Sequence, residues 1–173
     1  MKKAGLILVA LTIFTVTTFA QKYVYVDSKY ILEQIPEYGE AQIELNEYSK
    51  KWQEEIAARY AALDKKKASL KAEEIILPEE SKKIRQDEIN ALQKEARELQ
   101  KSRFGVDGDL FKKRQELIQP IQDKIFEAIK ELAEDSNYGF VFDKANGANI
   151  MYAQTKHNVS DRVLRKMGYS PSE

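Results

Sequence analysis

Residues 40–102 read EAQIELNEYSKKWQEEIAARYAALDKKKASLKAEEIILPEESKKIRQDEINALQKEARELQKS, with no glycine and a single proline, Pro78. Of these 63 side chains, 27 are charged and 15 are large and apolar. So polar a mixture, rich in Ala, Glu, Lys, Leu and Gln, favours long helix over strand. The apolar residues agree. Leu45, Tyr48, Trp52, Ile56, Tyr60, Leu63 and Leu70 recur mostly every three or four positions, and Ile84, Leu92, Ala96, Leu99 and Val106 continue the pattern beyond the proline. Each set makes a narrow stripe on one helical face. The pairs Glu47/Lys51, Glu55/Arg59 and Glu79/Lys83 fall at i,i+4 in the favourable order. Pro78 suits the first turn of a new helix, so the stretch 40–104 predicts a helical hairpin with its tip near residues 75–80.

Length then decides the architecture. At about 1.5 Å per residue, Glu40 to Leu77 would reach roughly 57 Å and Glu79 to Glu134, if unbroken, roughly 84 Å. A compact domain of this size has a radius of gyration of only about 15 Å. The helices cannot fit inside such a body and must project from it as an arm. Gly105, Gly108 and Pro120 interrupt the returning helix, either as hinges or as a static kink that aims the arm away from the body; the stripe nonetheless continues through Leu110, Leu117, Ile121, Ile125, Ile129 and Leu132. Residues 105–134 are thus expected to join arm to body.

The ends of the chain supply that body. Lys22-Tyr-Val-Tyr-Val-Asp27 reads as a strand, and residues 21–39 as a strand with a short helix. Within residues 135–173, Tyr138–Asp143 and Asn149–Ala153 flank the turn signal Asn146-Gly147, and a short helix follows with Ser160 as N-cap, Val159 and Leu164 as a hydrophobic staple and Gly168 at its end. The expected class is α+β: a long antiparallel helical hairpin standing on a small three-stranded β body with a short C-terminal helix. Tyr23, Tyr25, Phe140, Phe142, Ile150 and Tyr152 are more apolar surface than one such layer buries, which points to self-association as well as to a body core.

Composition excludes several functions. Residues 1–20 pair Lys2 and Lys3 with an apolar run from Leu6 to Phe19 and end on Thr18-Phe19-Ala20, the pattern of a secretory signal peptide. Beyond it, 28 acidic and 26 basic side chains nearly cancel, which removes the usual electrostatic driver of nucleic-acid binding. The chain has no cysteine and one histidine, His157, so no thiolate or His-rich metal site is expected, and no cofactor. There is no phosphate-cradling glycine loop, and no carboxylate pair stands out as an acid/base couple. His157 reads as a surface residue, Asp64-Lys-Lys-Lys67 as solvated helix, and Asn158-Val-Ser160 as helix-cap chemistry rather than a glycosylation site. The chain is not expected to be an enzyme.

The strand Tyr23-Val-Tyr-Val-Asp27, the charged hairpin, Lys113-Arg-Gln-Glu-Leu-Ile-Gln-Pro-Ile-Gln-Asp-Lys-Ile125, Tyr138-Gly-Phe-Val-Phe-Asp143 and Val159-Ser-Asp-Arg-Val-Leu164 occur in an order that resembles the Skp/OmpH family of periplasmic chaperones. The resemblance implies a homotrimer whose arms enclose a cavity. It implies an ATP-independent holdase of the Gram-negative periplasm that keeps unfolded outer-membrane β-barrel proteins from aggregating. It supplies no catalytic residues. The near-neutral charge departs from the basic member of that family and argues against contact with anionic lipid or lipopolysaccharide. Tyr48, Trp52 and Tyr60 on the arm and Ile75, Ile76 and Leu77 at its tip are the candidate client contacts; the three aromatic residues fit better the seam between the two arm helices, the usual place of a helical stripe, and the tip residues fit also packing across their own turn. The competing class is an envelope coiled-coil adaptor that binds one specific folded partner.

Overall fold

The computed structural model describes residues 22–145 and 150–171. The signal-peptide reading and the Asn146-Gly147 turn lie outside them. In chain order the elements are β1 (Lys22–Val26), α1 (Ser28–Glu33), α2 (Pro36–Glu73), α3 (Glu79–Phe104), α4 (Asp109–Ser136), β2 (Tyr138–Asp143), a 3₁₀ turn (Thr155–His157) and α5 (Ser160–Lys166).

The hairpin is present. α2 has 38 residues, about 57 Å of helix, and α3 returns along it for 26. α2 starts at Pro36, four residues before the expected Glu40, because proline's fixed φ suits the first helical position and needs no amide donor there. It runs through Gly39 without a break. Pro78 caps α3 from outside, so Glu79 opens the helix. The returning helix stops at Phe104 and restarts at Asp109, then continues unbroken past Pro120, whose ring lies on the exposed side.

The body differs from expectation in its sheet. Among the described residues there are two strands, not three, and they run parallel: Tyr23 faces Phe140, Val24 faces Val141, Tyr25 faces Phe142 and Val26 faces Asp143. Residues 150–153 form no strand. The chain instead crosses to the other edge of β1, where Asn158 bridges Tyr25 and the Val159 amide donates to the Tyr25 carbonyl at 2.9 Å. That contact occupies ladder positions a third strand would otherwise take.

The core lies between this sheet and the helices. Ile118, Ile121, Ile125, Ala128 and Leu132 recur every three or four residues on α4 and are buried against Val24, Val26, Ile31, Ile35, Val163 and Leu164. Polar caps close its rim. Asp27 accepts from the Tyr30 amide to start α1. Ser160 is not the cap of α5: it is the first helical residue, nearly fully buried, with Val159 in the cap position. Its hydroxyl accepts from the Asp27 amide at 2.9 Å and donates to Asn158 Oδ1 at 2.6 Å, so it ties α5 to the end of β1. At the far end of α5, Gly168 takes φ +88°. Its amide donates to Arg165 and that of Tyr169 to Leu164, the double bond of a Schellman ending.

Candidate functional site

The surface available for function is the arm, its tip and the aromatic face of the sheet. The arm is held by a thin seam. Leu45, Ile56 and Leu63 of α2 are buried, as the stripe predicts, and α3 answers with Ile89 and Ala96, while Leu92 and Leu99 are half-buried. Two members of the predicted second stripe do not join it. Ile84 is exposed, and Val106 falls in the break after α3 with its side chain 97% accessible. Ile89, which the stripe omitted, takes the seam position three residues before Leu92. Charges pair across the two helices as well as along them. Lys66 meets Glu88 at 3.0 Å and Arg85 meets Glu73 at 2.8 Å. The Ser69 hydroxyl and then Arg85 hold the Glu73 carboxyl below its usual range. Of the anticipated i,i+4 pairs, Glu55 turns to Arg103 and Glu79 to Lys82.

The three arm aromatics all make contacts within the arm. Tyr60 donates its hydroxyl to Gln100 across the seam at 3.2 Å. Tyr48 and Trp52 sit at the arm base with ring centroids 5.4 Å apart, and the edge of Phe104 meets Trp52 at 6.4 Å. Cations cover both rings: Arg103 stands 5.1 Å from Trp52 and Lys113 5.0 Å from Tyr48. Lys113 is held charged above its usual pKa, mainly by Glu116. These side chains are half-buried, so they brace the junction while offering one edge to solvent.

The tip and the sheet are different. Ile75 and Ile76 are 96% and 79% exposed, and Leu77 is partly covered. Amides of Ile76 and Leu77 both donate to the Glu73 carbonyl, which turns the apolar side chains outward at the end of the arm. On the sheet only Tyr25 of the six body residues named from sequence is buried. Tyr23 stacks on Phe140 at 5.6 Å and Phe140 on Phe142 at 6.3 Å, yet all three rings are about half accessible, and Tyr152 is more so. Tyr23, Phe142, Ile150 and Tyr152, with Lys22 and Lys156, line an open hollow of about 760 Å³. The face is apolar and uncovered within one protomer.

Sequence reading missed Phe111 and Phe126, both exposed on α4. The signal was there: each lies one position after a stripe residue, Leu110 or Ile125, and so projects off the buried face. It also missed Arg103, which the fold brings between three helices. His157 is exposed, as expected. No helix among the described residues is long and apolar enough to cross a membrane.

With this geometry in hand, the comparisons agree on the fold. Residues 22–167 match the family described as outer membrane protein (OmpH-like). An OmpH-like protein of Caulobacter crescentus CB15 has a crystal structure that superposes with a TM-score of 0.67. The two share 12% identity over 84% of this chain and 83% of that one, so this likeness concerns architecture. No curated protein matches the chain in sequence.

Proposed function

We propose, for a chain that belongs to the OmpH-like outer membrane protein family, that it is a chaperone, and more narrowly an ATP-independent holdase that shields unfolded outer-membrane β-barrel proteins in the periplasm. The family is not an enzymatic one. The observation that carries the proposal is the arm itself: a long charged hairpin with few buried seam residues, ending in the exposed Ile75 and Ile76. Such a surface offers many weak apolar and charged contacts spread along its length, which suits a partner that has no fixed shape. Phe111 and Phe126 extend the apolar contacts toward the body. The uncovered ring stack of Tyr23, Phe140 and Phe142 supports self-association, and three copies would set three arms around a shared space. The leader-like residues 1–20 support export. Any adjustment of the arms to cargo size would fall at the split between Gly105 and Gly108 and would have to release its winding, since the helix runs unbroken past Pro120.

The test is light scattering of a urea-denatured β-barrel protein diluted into buffer with the assembled chain. The holdase suppresses aggregation without nucleotide; unchanged scattering at several-fold excess would reject it. An adaptor for a folded partner would be indifferent to the denatured chain.

A further inference from the structure

The two halves of the arm are unequal. α2 passes the level of the body as one unbroken helix, whereas the return half is split into α3 and α4. The direction of α2 therefore guides the arm, and the split half must be fastened to it.

The split is tightly wound rather than slack. The Gly105 amide donates to the Lys101 carbonyl at 2.8 Å, and the Gly108 amide to the Gly105 carbonyl at 2.9 Å. A Cβ on Gly105 would stand 2.4 Å from the Lys101 oxygen, and one on Gly108 2.8 Å from the Ser102 oxygen. Both glycines have φ near −70°, so the requirement is space, not handedness. Val106 and Asp107 are pushed outward, the latter into left-handed backbone at φ 60°.

That winding sets Arg103 on α3 against Asp109 on α4. One terminal nitrogen of the guanidinium meets Asp109 Oδ2 at 2.6 Å, the other meets Glu55 Oε2 of α2 at 3.3 Å, and the plane covers Trp52 of α2. A single planar fork thus touches all three helices, which a lysine ammonium could not reproduce. The remaining nitrogen, Nε, is buried without a partner. The Asp109 hydrogen bond holds the guanidinium above its ordinary pKa despite burial, so it stays charged.

We propose that Arg103 is the pin that fixes the angle between arm and body, by clamping the end of α3 to α2 and to the start of α4. Lys113 lies nearby but does not serve this purpose. Its partners Glu44 and Glu116 belong to α2 and α4, on the body side of the split, and it makes no bridge to α3. The inference concerns the arm's shape and does not depend on what the arm holds.

The chain has no cysteine, which makes the test direct. Spin labels on Ala91→Cys in α3 and Lys130→Cys in α4, both exposed positions, report the arm–body distance by pulsed electron resonance. Labelled chains are diluted into an excess of unlabelled full-length protein so that only distances within one chain count. The parent should give one narrow distribution. Arg103→Leu and Asp109→Asn should each widen it about twofold, Arg103→Lys should widen it in part, and Lys113→Met should leave it narrow. About 1 M NaCl, which shortens screening to roughly 3 Å, should widen the parent toward the variants. Asp109→Asn keeps shape and volume, so it decides the matter even if Arg103→Leu loses helix by circular dichroism. An unchanged width in Asp109→Asn, or equal widening by Lys113→Met, would overturn the assignment.

Discussion

Replacing Trp52 with alanine separates a structural use of this ring from a binding one. The indole contacts Tyr48 and Phe104 and lies under Arg103. Each aromatic pair contributes about 0.5–1.5 kcal/mol beyond area burial, and the cation adds about 0.5–1 kcal/mol at a partly exposed site. Their sum centres on about 2.75 kcal/mol, and the half-buried ring's own area brings the change to about 3 kcal/mol, the low end of the 3–5 kcal/mol of a fully buried Trp→Ala change. Urea unfolding followed by helical ellipticity reads this directly. With a slope of about 2 kcal/mol per molar urea, the midpoint should fall by roughly 1.5 M. Protomer concentration must be held constant, since the proposed self-association would make the midpoint concentration-dependent. Suppression of client aggregation, measured below the new midpoint, should change by less than about threefold, because capture is spread over many contacts. A midpoint within about 0.2 M of the parent, together with a tenfold loss of capture, would refute this reasoning and make Trp52 a client contact in its own right.

Four further outcomes follow from the same geometry. Ile75→Ser combined with Ile76→Ser should leave the unfolding free energy unchanged within about 0.5 kcal/mol, because both side chains are already in water, while client affinity measured by fluorescence anisotropy should drop roughly fivefold. Tyr23→Asp or Phe140→Asp should lower the mass found by light scattering after size exclusion, as a charge enters the ring stack. Leu164→Ala, at a fully buried position, should cost about 3 kcal/mol in the same urea assay. Glu37 lies below the ordinary glutamate value near 4.5, first through its own backbone hydrogen bond and then through the Tyr169 hydroxyl at 3.0 Å. Its folded pKa is lowered, so its contribution is complete above that value and is lost as pH falls through the folded one. Glu37→Gln should therefore flatten the part of the stability–pH curve that lies below about pH 4.5.

The arm was readable because its information is local. Leu45, Ile56 and Leu63 recur with the helical period and have no other place to go, and Pro78 marks the turn without help from elsewhere. The sheet was not readable to the same degree. Tyr23 and Phe140 carry strand chemistry, but nothing in either segment states that they pair parallel to each other, nor that Asn158 rather than residues 150–153 meets the free edge of β1. Ser160 shows the same gap: its hydroxyl suits a cap, yet it is drawn away by the Asp27 amide 133 residues earlier. Val106 continued the stripe of Leu92 and Leu99 in sequence only because the break between Gly105 and Gly108 does not alter the count of residues. Arg103 is one of 28 basic residues, and its position among three helices depends on tertiary packing. Of the candidate site, the tip was legible since two consecutive isoleucines have nothing to pack on at a hairpin's end, whereas Phe111 and Phe126 were masked by the stripe beside them.

The parallel pairing of β1 with β2 also governs the order in which the molecule can be made. Ser28, just after the first strand, is bonded to Asp143, 115 residues later. Everything between them is arm and its root. A ribosome delivers the first strand well ahead of its mate, so the two helices of the hairpin can zip together long before the base closes. A chain cut short between Phe104 and Tyr138 would own both arm helices and no closed base. The stack of Tyr23 on Phe140 is thereby reserved for polypeptides translated past the second strand.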